Sequence, residues 1–216
     1  MTSRAALAEL IGTFTLVFIG AGAGALAGST GIGILGVALA HGIALMVIVY
    51  AWGSISGAHV NPAVTFGLAL TGRLPWMKAL WYWAAQFIGA ALAAYLLRFL
   101  IGSVGSLGMT VPAGSVSAVQ AIVVEAVLTF FLVTAVYGSA VAGRNGNAAG
   151  LAIGFVLAMD ILMGGSLTGA SMNPARSFGP ALALAEFGDF WIYLVGPAVG
   201  AAVAALVYER LFVKAP

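Results

Sequence analysis

The sequence contains no cysteine and very little charge. Because cysteine is absent, disulfide bonds and thiolate chemistry are excluded. Only 6% of the residues are charged, against about 25% in a soluble domain, so the chain cannot cover a globular surface with charge. Eight basic and six acidic residues are too few for a nucleic-acid surface, and we expect no nucleic-acid partner. Hydrophobic residues make up 62% of the chain, which indicates a protein that crosses a lipid bilayer several times.

Six apolar stretches are long enough to span a bilayer, which takes about 20 residues of helix. They lie at about 5–27, 34–53, 79–100, 117–138, 148–166 and 190–212. Two shorter stretches lie between the second and third spans and between the fifth and sixth, at about 61–71 and 173–184. At about 1.5 Å per residue, each short stretch covers only half of a ~30 Å hydrocarbon layer. The sequence therefore predicts an all-α membrane protein with six transmembrane helices and two re-entrant half-helices.

The two halves of the chain repeat one another. The motif that contains Glu9 recurs around Glu125, and an Asn-Pro-Ala motif occurs once in each half. Each half holds three spans, an odd number, so the second half enters the membrane in the opposite direction. We predict a single transmembrane domain over 1–216, built from inverted repeats of about 1–112 and 113–216.

Each half-helix is predicted to begin at an Asn-Pro-Ala motif. Asparagine is a preferred N-cap, and proline suits the first helical position because its missing N–H would be unpaired there in any case. Since the repeats are inverted, the two helix starts can meet near the middle of the membrane. The motif residues are Asn61, Pro62, Ala63, Asn173, Pro174 and Ala175.

The loops that lead into the motifs, at Ser54–Val60 and Gly164–Met172, show no helical pattern at membrane depth. Unpaired backbone is tolerated there only where it is buried in protein or lines water, so we expect these loops to line an aqueous path. Two helix N-termini at the centre create a positive potential that opposes cations. Arg176 directly follows the second motif, and a lone arginine at membrane depth is usually functional. The alternative is an arginine that extends to the outer interface.

Basic residues are distributed unequally between the two sides of the predicted spans. With the N-terminus inside, only Arg98 and Arg176 lie on the outer side. The positive-inside rule therefore predicts that both termini are cytoplasmic. The basic residues on the inner side are Arg4, Arg73, Lys78, Arg144, Arg210 and Lys214.

Over essentially its full length the chain resembles the aquaporin, or major intrinsic protein, family. The resemblance is carried by the two Asn-Pro-Ala motifs, Arg176, Glu9 and Glu125, and by the plan of six spans and two half-helices. It implies a right-handed helical bundle, a passive water channel in a lipid bilayer and a homotetramer with one pore per subunit. We expect the cell (plasma) membrane, no cofactor, no metal and no enzymatic activity, because the sequence shows no metal cluster, nucleophile–base set or phosphate-binding loop.

The resemblance also implies roles for single residues. Asn61 and Asn173 would each cap a half-helix through the side-chain oxygen and donate from the side-chain NH₂ to one central water molecule. That water could then not relay a proton along the file. His59 would line the inner vestibule, while Glu9 and Glu125 would hold the loops behind the half-helices.

Four positions match the selectivity filter of the family: His41, Ile161, Ala170 and Arg176. This combination resembles the filter of plant vacuolar-membrane aquaporins more than that of typical water-selective members. Compared with those water-selective members, Ala170 is a small residue and Ile161 lacks the hydrogen-bond donor of the usual histidine. We therefore expect an opening that is wider and less polar on one side. A packing role for His41 is the alternative.

Asp160 is a carboxylate in the middle of the fifth span, where relatives of the plant vacuolar type often have asparagine. Successive residues of a helix point about 100° apart, so Asp160 should point away from a pore wall that contains its neighbour Ile161. We predict that it supports the structure by accepting hydrogen bonds from the outer re-entrant loop or from His41.

Three alternatives to a water channel are open. A channel mainly for ammonia, urea or hydrogen peroxide is one; glycerol is disfavoured because Ser177 and Ala181 stand where glycerol facilitators of the family carry Asp and Lys. A secondary transporter also has inverted repeats with broken helices, but transporters usually place coupling carboxylates or ion-binding carbonyls at the breaks, whereas these breaks carry Asn and Arg. The third is a structural junction protein of the same fold.

Overall fold

The structure, a computed structural model, describes residues 2–143 and 146–213. Within these residues the chain is helical and contains no strand, so the predicted fold class is confirmed. Two residues used to predict the orientation, Arg144 and Lys214, lie outside the described residues. In chain order the helices are α1 Ser3–Thr30, α2 Gly33–Ser56, α3 Pro62–Leu70, α4 Trp76–Ile101, α5 Ala118–Val141, α6 Gly146–Thr168, α7 Pro174–Leu184 and α8 Ile192–Val213.

Six of these helices are long and apolar enough to cross a membrane, and α3 and α7 are the two half-helices. The outward faces of the long helices carry large, exposed apolar side chains such as Leu35, Ile88, Val127 and Phe155. A protein in water could not present so continuous an apolar surface, whereas a lipid environment accommodates it. The chain is therefore a multi-pass membrane protein.

The helices before the half-helices run further than the sequence predicted. The expected loops began at Ser54 and Gly164, but α2 continues through Ser56 and α6 through Thr168. Each helix ends at a left-handed glycine, Gly57 with φ 93° and Gly169 with φ 82°, whose N–H bonds the carbonyl four residues earlier. Glycine adopts this conformation without a Cβ penalty and is the usual helix stop, so the loops are shorter than predicted.

Close helix crossings hold the bundle together. A Cβ on Gly89 of α4 would lie 2.3 Å from the carbonyl oxygen of Leu10 in α1. In the second half, a Cβ on Gly200 of α8 would lie 2.1 Å from the carbonyl oxygen of Ala126 in α5. Since real Cβ atoms do not approach so closely, glycine is required at both crossings.

Each half-helix packs against a long helix of the other half. Gly67 of α3 faces the backbone of Ala201 in α8, and Gly179 of α7 faces the backbone of Ala90 in α4. The N-terminal ends of α3 and α7 are thereby brought together inside the bundle.

Candidate functional site

The two Asn-Pro-Ala motifs meet through their asparagine side chains. Asn61 Oδ1 accepts from the N–H of Ala63 at 2.8 Å, and Asn173 Oδ1 accepts from the N–H of Ala175 at 3.0 Å and of Arg176 at 3.2 Å. Both asparagines therefore cap their half-helices.

The same side chains also join the two loops. Asn61 Nδ2 donates to the Met172 carbonyl at 2.8 Å, and Asn173 Nδ2 donates to the Val60 carbonyl at 2.9 Å. An amide carries two N–H donors, so one is used by the opposite loop and the other is left for the cavity that both asparagines line.

Buried carboxylates hold the two loops in place. Glu9 accepts hydrogen bonds from the Ser56 hydroxyl at 2.6 Å, the His59 N–H at 2.9 Å and the Val60 N–H at 2.6 Å. These contacts hold a backbone that takes positive φ at Ala58 and Val60, which side-chain-bearing residues rarely adopt.

The second loop repeats the arrangement. Glu125 accepts from the Thr168 hydroxyl at 2.7 Å, the Ser171 N–H at 2.9 Å and the Met172 N–H at 2.7 Å. Ala170 and Met172 have the positive φ values here. Because backbone strain of this kind persists only where surrounding contacts determine it, the two glutamates are the groups that keep both loops shaped.

A cavity of about 310 Å³ passes between the loops and the long helices. Its polar lining contains Asn61, Asn173, His41, His59, Arg73 and Arg176, and the loop residues Gly57–Val60 also contribute. The rest of the lining is mainly apolar and includes Leu45, Leu132, Ile153 and Leu157.

Two of the four predicted filter residues, His41 and Arg176, line this cavity. Arg176 donates from Nη1 to the Gly108 carbonyl at 2.7 Å, and its Nε has no partner among the described residues. Within the described part of the chain the only ion pair joins Arg73 and Glu209, so Arg176 has no carboxylate against it. It is a buried and uncompensated cation beside the path.

The His41 ring is fixed by its surroundings. Its Nδ1 bonds the Val37 carbonyl at 2.9 Å, and Nε2 has no partner among the described residues. A Cβ on Gly20 would lie 2.4 Å from the ring, so glycine leaves room for it.

The other two predicted filter residues, Ile161 and Ala170, are each 2% exposed and are not part of the cavity lining. Ile161 lies in α6, and Ala170 packs against the end of that helix, where a Cβ on Gly164 would lie 3.3 Å from Ala170. The structure thus places His41 and Arg176 on the cavity lining, and Ile161 and Ala170 outside that lining.

Among the described residues, the hydrogen bonds predicted for Asp160 are absent. The side chain is 1% exposed, and neither carboxylate oxygen has a partner among the described residues. The expected donors are engaged elsewhere, because the His41 Nδ1 bonds Val37 and the loop N–H groups of Ser171 and Met172 bond Glu125. The prediction that Asp160 accepts these hydrogen bonds is therefore wrong.

Sequence reasoning missed several polar residues of the site. Gln86 donates to both Glu9 and Thr65, and Arg73 of the cavity lining pairs with Glu209. An amide inside a membrane span was a usable signal for Gln86. Across the described residues no group of three or more His, Cys, Asp or Glu side chains could hold a metal ion.

The fold and the site define a membrane channel in which two half-helices meet beside an aqueous path. The chain belongs to the major intrinsic protein family, whose model matches residues 1–208. The resemblance found in the sequence is thereby confirmed. This is a family of channels rather than enzymes.

Relatives match over almost the whole chain. Aquaporin TIP1-2 of Zea mays is 44% identical over 98% of this chain and 87% of its own length. Probable aquaporin TIP3-2 of Arabidopsis thaliana is also 44% identical, over 97% of this chain and 84% of its own. Among solved structures, the aquaglyceroporin from Plasmodium falciparum superposes with a TM-score of 0.89 at 26% identity, covering 98% of this chain and 97% of that one.

Proposed function

We propose that the chain is a passive water channel that excludes protons and other ions. The observation that carries the proposal is the pair of capped half-helices, each leaving one asparagine N–H for the cavity. A water molecule that accepts from Asn61 and Asn173 points its own hydrogens away from the centre. Such a water does not pass on a proton, and the positive ends of α3 and α7 oppose cations.

The residue roles follow from this function. The Asn-Pro-Ala motifs form the central barrier, and His41 and Arg176 form the polar part of the filter. Ile161 and Ala170 belong to the filter through the family resemblance, setting its width from behind the cavity surface. We assign His59 to the cavity lining and Glu9 and Glu125 to loop support.

Small neutral solutes are a second candidate cargo. His41 and Arg176 both line the cavity, and His41 Nε2 and Arg176 Nε have no partner among the described residues. Ammonia, urea and hydrogen peroxide each carry a donor and an acceptor that such a pair could bind. Glycerol is larger and stays the least favoured of these solutes.

The proposal is tested by stopped-flow measurements on proteoliposomes. Rapid water flux with a low activation energy and no proton conductance is expected, and urea, ammonia and glycerol are compared in the same preparation. Ion-coupled uptake would instead indicate a secondary transporter, and no flux would leave the junction-protein alternative. In His41→Phe the ratio of solute to water flux should fall, because the larger apolar ring removes a hydrogen-bonding group; an unchanged ratio would argue against His41 as a filter residue.

We further propose cytoplasmic termini and a homotetramer. The first rests on the basic residues of the inner side and the second on the family resemblance. Reporter fusions at each terminus test the orientation, and native mass spectrometry of the purified protein tests the tetramer. No comparison supports the cell membrane over another membrane, and that location stays a prediction, which imaging of a tagged chain in its native cell can decide.

A further inference from the structure

A buried chain of hydrogen bonds leads from Glu9 to the ring of His59. Gln86 Nε2 donates to Glu9 Oε2 at 2.8 Å and to Thr65 Oγ1 at 3.0 Å. Thr65 Oγ1 in turn lies 3.1 Å from His59 Nδ1. Gln86 and Thr65 are fully buried, whereas His59 lines the cavity. The loop-supporting carboxylate is therefore connected to the cavity surface through two polar side chains.

The chemistry of the donors sets the direction of this chain. Glu9 already accepts two backbone N–H groups, so its oxygens act as acceptors. Gln86 must present its NH₂ to Glu9, because its carbonyl would face a carboxylate oxygen. The second N–H of the same NH₂ then donates to Thr65, and the hydroxyl hydrogen of Thr65 needs an acceptor of its own.

His59 Nδ1 is the acceptor for that hydrogen. Other buried threonines, Thr13 and Thr129, donate to the carbonyl four residues earlier, at 2.8 and 2.6 Å. Among the described residues Thr65 has no such carbonyl partner. If His59 carried its hydrogen on Nδ1, the Thr65 hydroxyl hydrogen would be buried without a partner, which is unfavourable.

We propose that Thr65 is a positioning residue that fixes His59 in the tautomer protonated at Nε2. A neutral imidazole that accepts at Nδ1 carries its hydrogen on Nε2, and Nε2 makes no hydrogen bond to the described residues. The ring is also held against Tyr82, with the ring centroids 5.1 Å apart in an edge contact. His59 thus offers a fixed donor to the cavity.

His41 has the opposite polarity. Its Nδ1 must donate to the Val37 carbonyl, so Nε2 is left as an acceptor. The two histidines that line the cavity therefore present a donor at His59 and an acceptor at His41, and a file of water molecules meets each with a defined orientation.

The second loop has the same pairing with different chemistry. Ser171 and Ser177 stand 112 positions after His59 and Thr65, and their hydroxyl oxygens are 2.6 Å apart. A residue of each loop is thus tied to the half-helix side chain six positions later. Only the first loop carries a titratable ring at this place, so the tautomer matters only there.

Nitrogen-15 NMR of the full chain in liposomes reads the tautomer directly, because the chain contains only two histidines. The protein carries a purification tag without histidine and is measured at about pH 8, above the usual histidine pKa of about 6.5. In the His41→Phe variant only the signals of His59 remain. We expect a protonated Nε2 and an unprotonated, hydrogen-bonded Nδ1. A hydrogen on Nδ1 of His59 would overturn the proposal, whether or not further variants fold.

Thr65→Val, which keeps the shape and removes the hydroxyl, should give a mixture of both His59 tautomers and leave the His41 signals unchanged. Thr65→Ser should restore the single tautomer. Thr129→Val is the matched control, since it removes a buried hydroxyl that bonds only a backbone carbonyl. An unchanged His59 spectrum in Thr65→Val would contradict the assignment.

The effect on permeation rests on the proposed water-channel function. Thr65→Val should lower water flux about two- to fivefold, the size expected for losing one orienting hydrogen bond, while Thr65→Ser and Thr129→Val stay near the wild-type rate. Wild-type flux in Thr65→Val beside a mixed tautomer would overturn the link to permeation. A wild-type chain that passes no water would contradict the proposed function instead, and the spectra would still decide the tautomer.

Discussion

Buried polar side chains near the pore differ in whether their hydrogen bonds are complete. The oxygens of Glu9 and Glu125 accept hydrogen bonds from loop N–H groups and hydroxyls. Each glutamate thereby pairs backbone N–H donors that would otherwise be buried without a partner. Arg176 Nε and His41 Nε2 have no partner among the described residues, although both residues line the cavity. Asp160 has no partner in the described part of the chain and does not line the cavity, so nothing in the proposed function relieves it.

Replacing Asp160 with asparagine should therefore stabilise the protein. Asparagine has nearly the same shape and cannot carry the charge that an unpaired carboxyl would bring into the bundle. A relief of about 1 kcal/mol would raise the midpoint of thermal unfolding by roughly 2–4 °C for a chain of this size. Asp189→Asn, which neutralises an exposed carboxylate, is the control and should leave the midpoint unchanged. A lower midpoint for Asp160→Asn would mean that the carboxylate has a favourable partner.

The polar residues of the site differ in how far the sequence could predict them. Asn61, Asn173 and Arg176 stand in motifs whose local chemistry is specific, so their places could be predicted from neighbours in the chain. The contact of Thr65 with Gln86 joins residues 21 positions apart on different helices and depends on how α3 packs against α4. No local pattern contains that information.

Helix positions were predictable because each span has to cover a bilayer, and the six long helices match the predicted spans to within a few residues. The C-terminal ends of α2 and α6, which precede the half-helices, could not be predicted in this way. Ser54 and Gly164 resemble loop residues, although the helices stop at Gly57 and Gly169. A small residue inside a membrane helix marks a close crossing as often as a loop.

The cap of α3 should contribute more to stability than an ordinary surface cap. Asn61→Ala removes a cap worth about 0.5–2 kcal/mol together with the hydrogen bond to Met172, worth about 0.5–1.5 kcal/mol more. Ser117→Ala removes only the exposed cap at the start of α5. Thermal unfolding in detergent should show the larger loss for Asn61→Ala. Equal losses would mean that the bond across the two loops contributes nothing.

The glycine crossings give a second test at the level of helices. Gly200→Ala and Gly89→Ala should each destabilise the fold by at least about 1–3 kcal/mol, the usual cost of overpacking. The new Cβ would meet backbone atoms, which cannot rotate away as a side chain can. Gly28→Ala is the control: a Cβ there has nothing within 4 Å, and alanine favours the helix by roughly 0.5–1 kcal/mol. The yield of folded protein and its thermal midpoint should separate the pair from the control. A folded and equally stable Gly200→Ala would show that α5 and α8 can move apart.

At the scale of the whole molecule, the two halves depend on each other. The asparagine of each loop donates to the backbone of the opposite loop, and each half-helix packs on a long helix of the other half. A half on its own would leave these donors and faces without partners. We infer that neither half forms the pore alone.

The ion pair between Arg73 and Glu209 adds one more link between the halves. Arg73 follows α3, and its Nε and Nη2 each donate to a Glu209 oxygen at 2.9 Å near the end of α8. The hydrogen bond that Arg73 donates to Glu209 raises the pKa of Arg73 above its usual value. A base whose pKa is raised on folding gives stability that is present below its unfolded pKa and lost only as the pH rises through the folded one. For arginine that range is far above neutral, so this contribution should not change between about pH 7 and 9.

Exchanging the two charges tests this link. Arg73→Glu should destabilise the protein by about 1 kcal/mol, a modest amount because the arginine side chain is 37% exposed. Glu209→Arg should cost more, because the glutamate side chain is only 6% exposed. The double exchange restores an attractive pair and should recover part of the loss, although the planar fork of arginine then approaches from the other helix. Arg210→Glu makes the same charge change at an exposed neighbour and should have little effect. Thermal midpoints of the wild type, the two single exchanges and the double exchange complete a double-mutant cycle, and purely additive losses would show that the pair does not couple α8 to the loop after α3.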